Sequence, residues 1–181
     1  AQAAQGLGLS YHCRWAFTDL DQCTYADDVA TLATYGLLGG FPDGTVRPQQ
    51  AITRGEFAVL LAAALNLRES SSAGFTDVPA DAWNTSAVNA MVAKGFLAGR
   101  SSTVFGPQDN LTYEEMATIL SAISSWACME GYAVADEPVP ASKQAAYAVL
   151  SDWAQAPAWR LSTLGVDVDL TAPQAPATRD Q

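Results

Sequence analysis

Two stretches of the chain place apolar residues at helical spacing behind a Thr-x-x-Glu. After Thr53 come Phe57, Leu60, Leu61, Ala64 and Leu65, at i, i+3, i+4, i+7 and i+8, which is one face of an amphipathic helix. After Thr112 come Met116, Ile119, Leu120 and Ile123, the same stripe again. Stripes of this kind face a core. A shorter helical segment precedes each. The first runs from about residue 26 to residue 35, and Gly36 suits the left-handed position that ends a helix. Gly95 does the same for the second. Between the helices of the first pair, "FPDG" at residues 41–44 sets Pro, Asp and Gly in turn order. Each pair therefore reads as helix–turn–helix, and the fold class as all-α without substantial sheet.

The two pairs are copies of one unit, and repeats of this length define the architecture. "FTDL" at Phe17 returns as "FTDV" at Phe75, so Asp19 returns as Asp77. Tyr25 returns as Trp83, six residues after the Asp in both copies. "ATYGLLGG", ending at Gly40, returns as "VAKGFLAG", ending at Gly99. The period is 58 to 59 residues, with one position of slippage. A third unit is weaker. "LSDWAQAPAW" at 150–159 stands for the opening, with Trp159 as its aromatic. Gly165 follows Trp159 after only six residues, against twelve in the second unit, so the first helix of unit three is expected to be shortened or displaced. The organisation predicted is an N-terminal arm over 1–16, repeats over 17–69 and 75–125, a linker over 126–149 with a short helix at "SKQAAYAVL", and a truncated repeat over 150–181.

One phrase closes all three units: a Pro followed five residues later by a Thr, at Pro48 and Thr53, Pro107 and Thr112, Pro173 and Thr178. Thr53 with Glu56, and Thr112 with Glu115, are capping boxes, in which hydroxyl and carboxylate satisfy each other's backbone N–H. Thr178 with Gln181 is the amide version. Arg54 has no such account, because a cation in the first turn opposes the helix dipole. Two readings stand: a solvated Arg paired to a nearby Asp, or a guanidinium that makes an anion site with the helix N-terminus. On the second reading Arg54→Ala weakens anion binding and leaves stability nearly unchanged. Arg179 occupies the same place in the third phrase, and Tyr113 in the second.

Charge and composition narrow the partners. Hydrophobic residues make up 49% of the 181, enough for a folded core. A net charge of −10 with nine Lys and Arg argues against nucleic acid and polybasic membrane contact. No apolar run approaches the roughly 20 residues of a membrane span. His12 is the only histidine and no Cys/His cluster occurs, so no metal, cofactor or histidine-based triad is expected. Cys13 and Cys23 are near neighbours and would close a short disulfide loop in an exported protein. Free thiols packed as small apolar groups are the equal alternative, and Cys128 stands alone.

"FTDL…YGLLGGFPDGTVRPQQAITRGEF" resembles an S-layer homology repeat, a cell-surface module of bacteria. The resemblance rests on the F-x-D, the spaced glycines, the Pro and the ITRAE-like "ITRGE". It covers about residues 17–69 and 75–125 well and 150–181 in degenerate form. It implies a pseudo-threefold helical spindle with a central bundle and clefts between its arms. It also implies a secreted, cell-surface protein held without covalent bonds to anionic, often pyruvylated, secondary cell-wall polysaccharide. No catalysis is implied. The glycan-binding set carried over is Arg54, Arg179, Trp83, Tyr25, Trp159, Asp19, Asp77, Gly40 and Gly99. Tyr113 departs from the Arg of the motif. The aromatics read equally as core anchors at helix starts. The alternative function is a structural subunit of a surface layer, sheath or filament, by self-assembly or within a larger surface protein. The third phrase lacks the apolar helix that follows the other two. The slot is therefore expected to be filled by further chain, by the N-terminal arm, or by a neighbouring subunit.

Overall fold

The computed structural model describes residues 17–128, 138–166 and 168–181. Among the described residues there are six α-helices and no strand, so the protein is all-α. They are α1 (Ala26–Thr34), α2 (Arg54–Ala64), α3 (Thr85–Ala93), α4 (Tyr113–Cys128), α5 (Ala141–Tyr147) and α6 (Asp152–Thr163). A 3-10 turn at Leu20–Gln22 precedes α1. The chain forms two compact units, one of Ala1–Gln50 with Thr178–Gln181 and the other of Ala51–Ala177.

The two capping boxes act as the sequence requires. Glu56 N–H donates to Thr53 Oγ1 at 3.2 Å, and Thr53 N–H donates to Glu56 Oε2 at 2.9 Å. Thr112 and Glu115 make the same pair at 3.3 and 3.1 Å. The amide version is only half made: Thr178 N–H donates to Gln181 Oε1 at 3.0 Å, while Gln181 N–H donates to Thr178 O at 3.3 Å and no helix follows among the described residues. The first-helix glycines follow their helices in the left-handed region, Gly36 at φ 71° and Gly95 at φ 74°. The stripe of α2 faces the core as expected, with Phe57 and Leu61 buried and Leu60 and Leu65 packed against them, except that Ala64 is exposed and Ala58 and Ala62 are buried beside it. In α4, Met116, Ala117 and Ile119 are buried. Phe57, Ala58, Leu61, Ala62, Met116 and Ile119 share one core with Val88 and Met91 of α3.

In the second unit each long helix packs on the first helix of the following repeat, α2 on α3 and α4 on α6. Neighbouring repeats interlock here. The three Pro-to-Thr phrases supply the joint. Ile52 N–H donates to Ala177 O (2.9 Å), Ala177 N–H to Leu111 O (2.8 Å), and Leu111 N–H to Ile52 O (3.0 Å). These three residues are at most 4% exposed, so the bonds form a closed, dry ring. Each phrase then leans on the next: Arg54 and Gly55 N–H on Asp109 and Pro107, and Tyr113 and Glu114 N–H on Ala175 and Pro173. In the first unit Arg179 and Asp180 N–H make the same step onto Gln50 and Pro48.

The third repeat departs from expectation. Its first helix, α6, is not shortened: it has twelve residues, against nine in α1 and α3. Pro157 sits inside it. The expectation of a shorter helix rests on the count from Trp159 to Gly165, whereas Trp153 stands at the twelve-residue spacing of the second unit. The helix begins at Asp152, so Trp159 lies within it. Trp159 packs edge-on against Tyr147 at 5.7 Å, beside the core of Val139, Leu150, Ala154 and Ala158. The short helix expected in the linker is α5, and α4 runs on to Cys128. Cys13, its pairing with Cys23, and the rest of the arm lie outside the described residues.

Candidate functional site

Both F-x-D aspartates are structural clamps. Asp19 accepts the N–H of Val46 and of Arg47, both at 2.8 Å. Asp77 accepts those of Phe105 and Gly106 at 2.9 and 2.7 Å. Burial acts to raise the pKa of Asp77, but these N–H bonds outweigh it and hold it below its ordinary value. The loop glycines sit under the Phe of the same motif. A Cβ on Gly40 would strike the Phe17 ring and lie 2.9 Å from Thr45 O. One on Gly99 would strike the Phe75 ring and lie 2.5 Å from Ser101 O. Asp19, Asp77, Gly40 and Gly99 thus bring each loop to a fixed shape around the arginine that docks in it.

That arginine comes from another phrase. Arg54 is 5% exposed. Its Nε donates to Phe105 O at 3.2 Å and its Nη2 to Ala98 O at 2.5 Å. Its guanidinium lies 4.8 Å from the Phe105 ring centre. Burial, then the charge of Arg100, lower its pKa, against the pull of Glu115 and Asp109. In the first unit Arg179 repeats the arrangement, with Nε to Val46 O at 2.8 Å and Nη2 to Gly39 O at 2.6 Å. Tyr113 fills the middle phrase differently, its hydroxyl accepting Asp169 N–H at 2.9 Å. Arg54 is therefore a structural member of its loop as well as a charge. The expectation that Arg54→Ala leaves stability nearly unchanged does not fit this burial, since its removal leaves two carbonyls unpaired.

Arg54 also lines a cleft of about 280 Å³ in the second unit. Gly99, Arg100, Glu115 and Trp153 stand around it, with Phe96, Leu97 and Ile119 as apolar wall. Arg100 Nη1 donates to Glu115 Oε1 at 2.5 Å, and its Nε approaches Asp109 Oδ2 at 3.4 Å. The bond to Glu115 raises the Arg100 pKa against partial burial. For Glu115, burial acts upward, but the Arg100 bond, the Thr112 N–H and the charges of Arg100 and Arg54 outweigh it and lower the pKa. A hollow with two guanidinium groups, an exposed indole and an apolar wall can hold an anionic ring: the charges take the acid group, and the flat faces take the ring.

Of the expected glycan set in this unit, Arg54 and Gly99 line the cleft, while Trp83 and Trp159 do not. Trp83 is exposed beside the N-terminus of α3, and Tyr25 is half exposed at the N-cap of α1. Arg100 and Trp153 were missed. Trp153 had a signal: it precedes Gly165 by twelve residues, as Trp83 precedes Gly95. Arg100 had none, because Phe41 occupies its place in the first repeat.

The S-layer homology domain matches at residues 16–58 and 74–117. Among relatives, a surface-layer 125 kDa protein of Lysinibacillus sphaericus is 38% identical over 92 residues, 51% of this chain and 8% of that protein. An amylopullulanase of Thermoanaerobacterium thermosulfurigenes is 27% identical over 168 residues, 90% of this chain and 9% of its own. A cellulosome-anchoring protein of Acetivibrio thermocellus is 32% identical over 91 residues, 47% of this chain and 20% of its own. The chain thus spans a fifth or less of each of these relatives. No helix among the described residues is long and apolar enough to cross a membrane.

Proposed function

Because residues 16–58 and 74–117 belong to the S-layer homology family, we propose that this chain anchors protein at the bacterial cell surface by non-covalent binding of an anionic, pyruvylated cell-wall polysaccharide. The observation that carries this reading is the second-unit cleft, where Arg54 and Arg100 stand beside the exposed Trp153. An acidic protein can hold an acidic glycan when its few cations are focused in a cleft. The role is attachment rather than catalysis. The amylopullulanase shares with this chain only 9% of its length, as expected for an anchor joined to catalytic domains. The surface-layer relative favours one second reading, a subunit that assembles through its repeats.

The test is co-sedimentation with purified wall polymer, before and after mild acid removal of its pyruvyl ketals. Binding that disappears with the ketals supports the anchor. Equal binding to both polymers contradicts the anionic-ligand reading, and self-association without any polymer binding favours the assembling subunit.

A further inference from the structure

The two arginines of the cleft are not equivalent. Arg54 is fixed by two backbone carbonyls and an aromatic face. Among the described residues, the polar contacts of Arg100 are to two carboxylates, and its side chain is 41% exposed. Glu115 is tied down from the other side, since its Oε2 accepts the Thr112 N–H of the capping box at 3.1 Å. It thus presents Oε1 to Arg100 as a carboxylate already in place. Arg54, Arg100 and Glu115 are the charged groups that line the cleft, and Asp109 draws on Arg100 from outside that lining at 3.4 Å. An entering acid group meets in Arg100 a cation that is already bonded, and gains only the difference between the two partners.

We propose that Arg100 takes the ligand's acid group in this cleft and that Glu115 is the built-in competitor it releases, so that this pair sets affinity and the preference for charged over neutral sugars. The inference rests on the glycan-binding reading above. It assigns Glu115 a second task beside its cap. It also assigns the charge preference to a residue outside the repeated motif, because the first repeat has Phe41 where the second has Arg100.

Calorimetric titration with the methyl glycoside of a pyruvyl-ketal N-acetylhexosamine, and with its neutral methyl ester, tests this. The variants are E115Q, R100Q and the double variant. A Gln retains an oxygen to accept the Thr112 N–H, as Gln181 accepts that of Thr178, and removes the charge. E115Q is expected to bind the acid about tenfold more tightly than the native protein, and R100Q about tenfold more weakly, as for one charge-assisted bond gained or lost. The double variant should gain nothing over R100Q, and the ester should bind all four proteins alike. If E115Q binds the acid no more tightly, or gains equally with Arg100 absent, the inference is overturned. Should E115Q not fold, R100Q decides: unchanged preference for acid over ester overturns it. Native protein that ignores both sugars overturns the glycan reading together with this inference. Native binding of the acid that E115Q does not strengthen overturns this inference alone.

Discussion

The first and second repeats build the same loop and then set different residues at its mouth. In each, an aspartate takes two consecutive N–H groups, a glycine passes under a phenylalanine, and an arginine from another phrase docks on two carbonyls. After the glycine the copies part. Phe41 lies between guanidinium groups, with Arg47 3.8 Å and Arg179 5.1 Å from its ring centre. Arg100 instead joins Arg54 and pairs with Glu115. What is repeated is the frame, and what differs between the copies is how the charges at its mouth are placed: Arg47 pairs with Asp43 in the first and Arg100 with Glu115 in the second. Substitutions in the repeated set should therefore cost stability, and those at the mouth should cost binding.

Asp77→Ala is the largest expected loss. It leaves the N–H groups of Phe105 and Gly106 without an acceptor, at about 3 kcal/mol, read as a fall in thermal midpoint. The same aspartate gives a pH dependence. Its folded pKa lies below the ordinary 3.8, so its stabilisation is complete above about pH 4 and is lost as pH falls through the folded value. Acid should lower the midpoint of the native protein, and Asp77→Asn should flatten that decline. A midpoint for Asp77→Ala equal to the native one would break the comparison at its strongest point.

Gly99→Ala comes next, at about 2 kcal/mol, because the Phe75 ring and the Ser101 and Val104 carbonyls leave no room for the methyl group. Gly39→Ala is its control: nothing lies within 4 Å of a Cβ there. Equal melting of the two variants would contradict the packing account. Thr112→Ala should cost about 1 kcal/mol through the lost cap. Arg100→Ala should lower stability by less than about 0.5 kcal/mol, as for an ion pair open to solvent on the Arg100 side. A larger loss would return Arg100 to the frame.

The frame was legible in the sequence because it is periodic. The capping boxes, the helix-ending glycines and the stripe of α4 all follow from spacing. The interlocking was not, since the ring of Ile52, Leu111 and Ala177 joins backbone groups that carry no side-chain signature. The start of α6 was ambiguous because Trp153 and Trp159 both fall in "LSDWAQAPAW", and only Trp153 stands twelve residues before Gly165. Asp19, Asp77, Gly40 and Gly99 were recognised as a set, but the family resemblance alone did not separate those that shape the loop from those that face the cleft. Arg54 turned out to do both, since its side chain is buried and still reaches the hollow.

The most direct test is the affinity of Trp153→Ala for purified pyruvylated wall polymer, with Trp159→Ala beside it. Trp153 is 53% exposed and lines the cleft, whereas Trp159 packs on Tyr147. The account predicts that Trp153→Ala loses on the order of tenfold in affinity at an unchanged thermal midpoint, as for one lost stacking contact. Trp159→Ala should instead lose stability while its folded fraction binds normally. Native affinity in Trp153→Ala would contradict the claim that this cleft is the site.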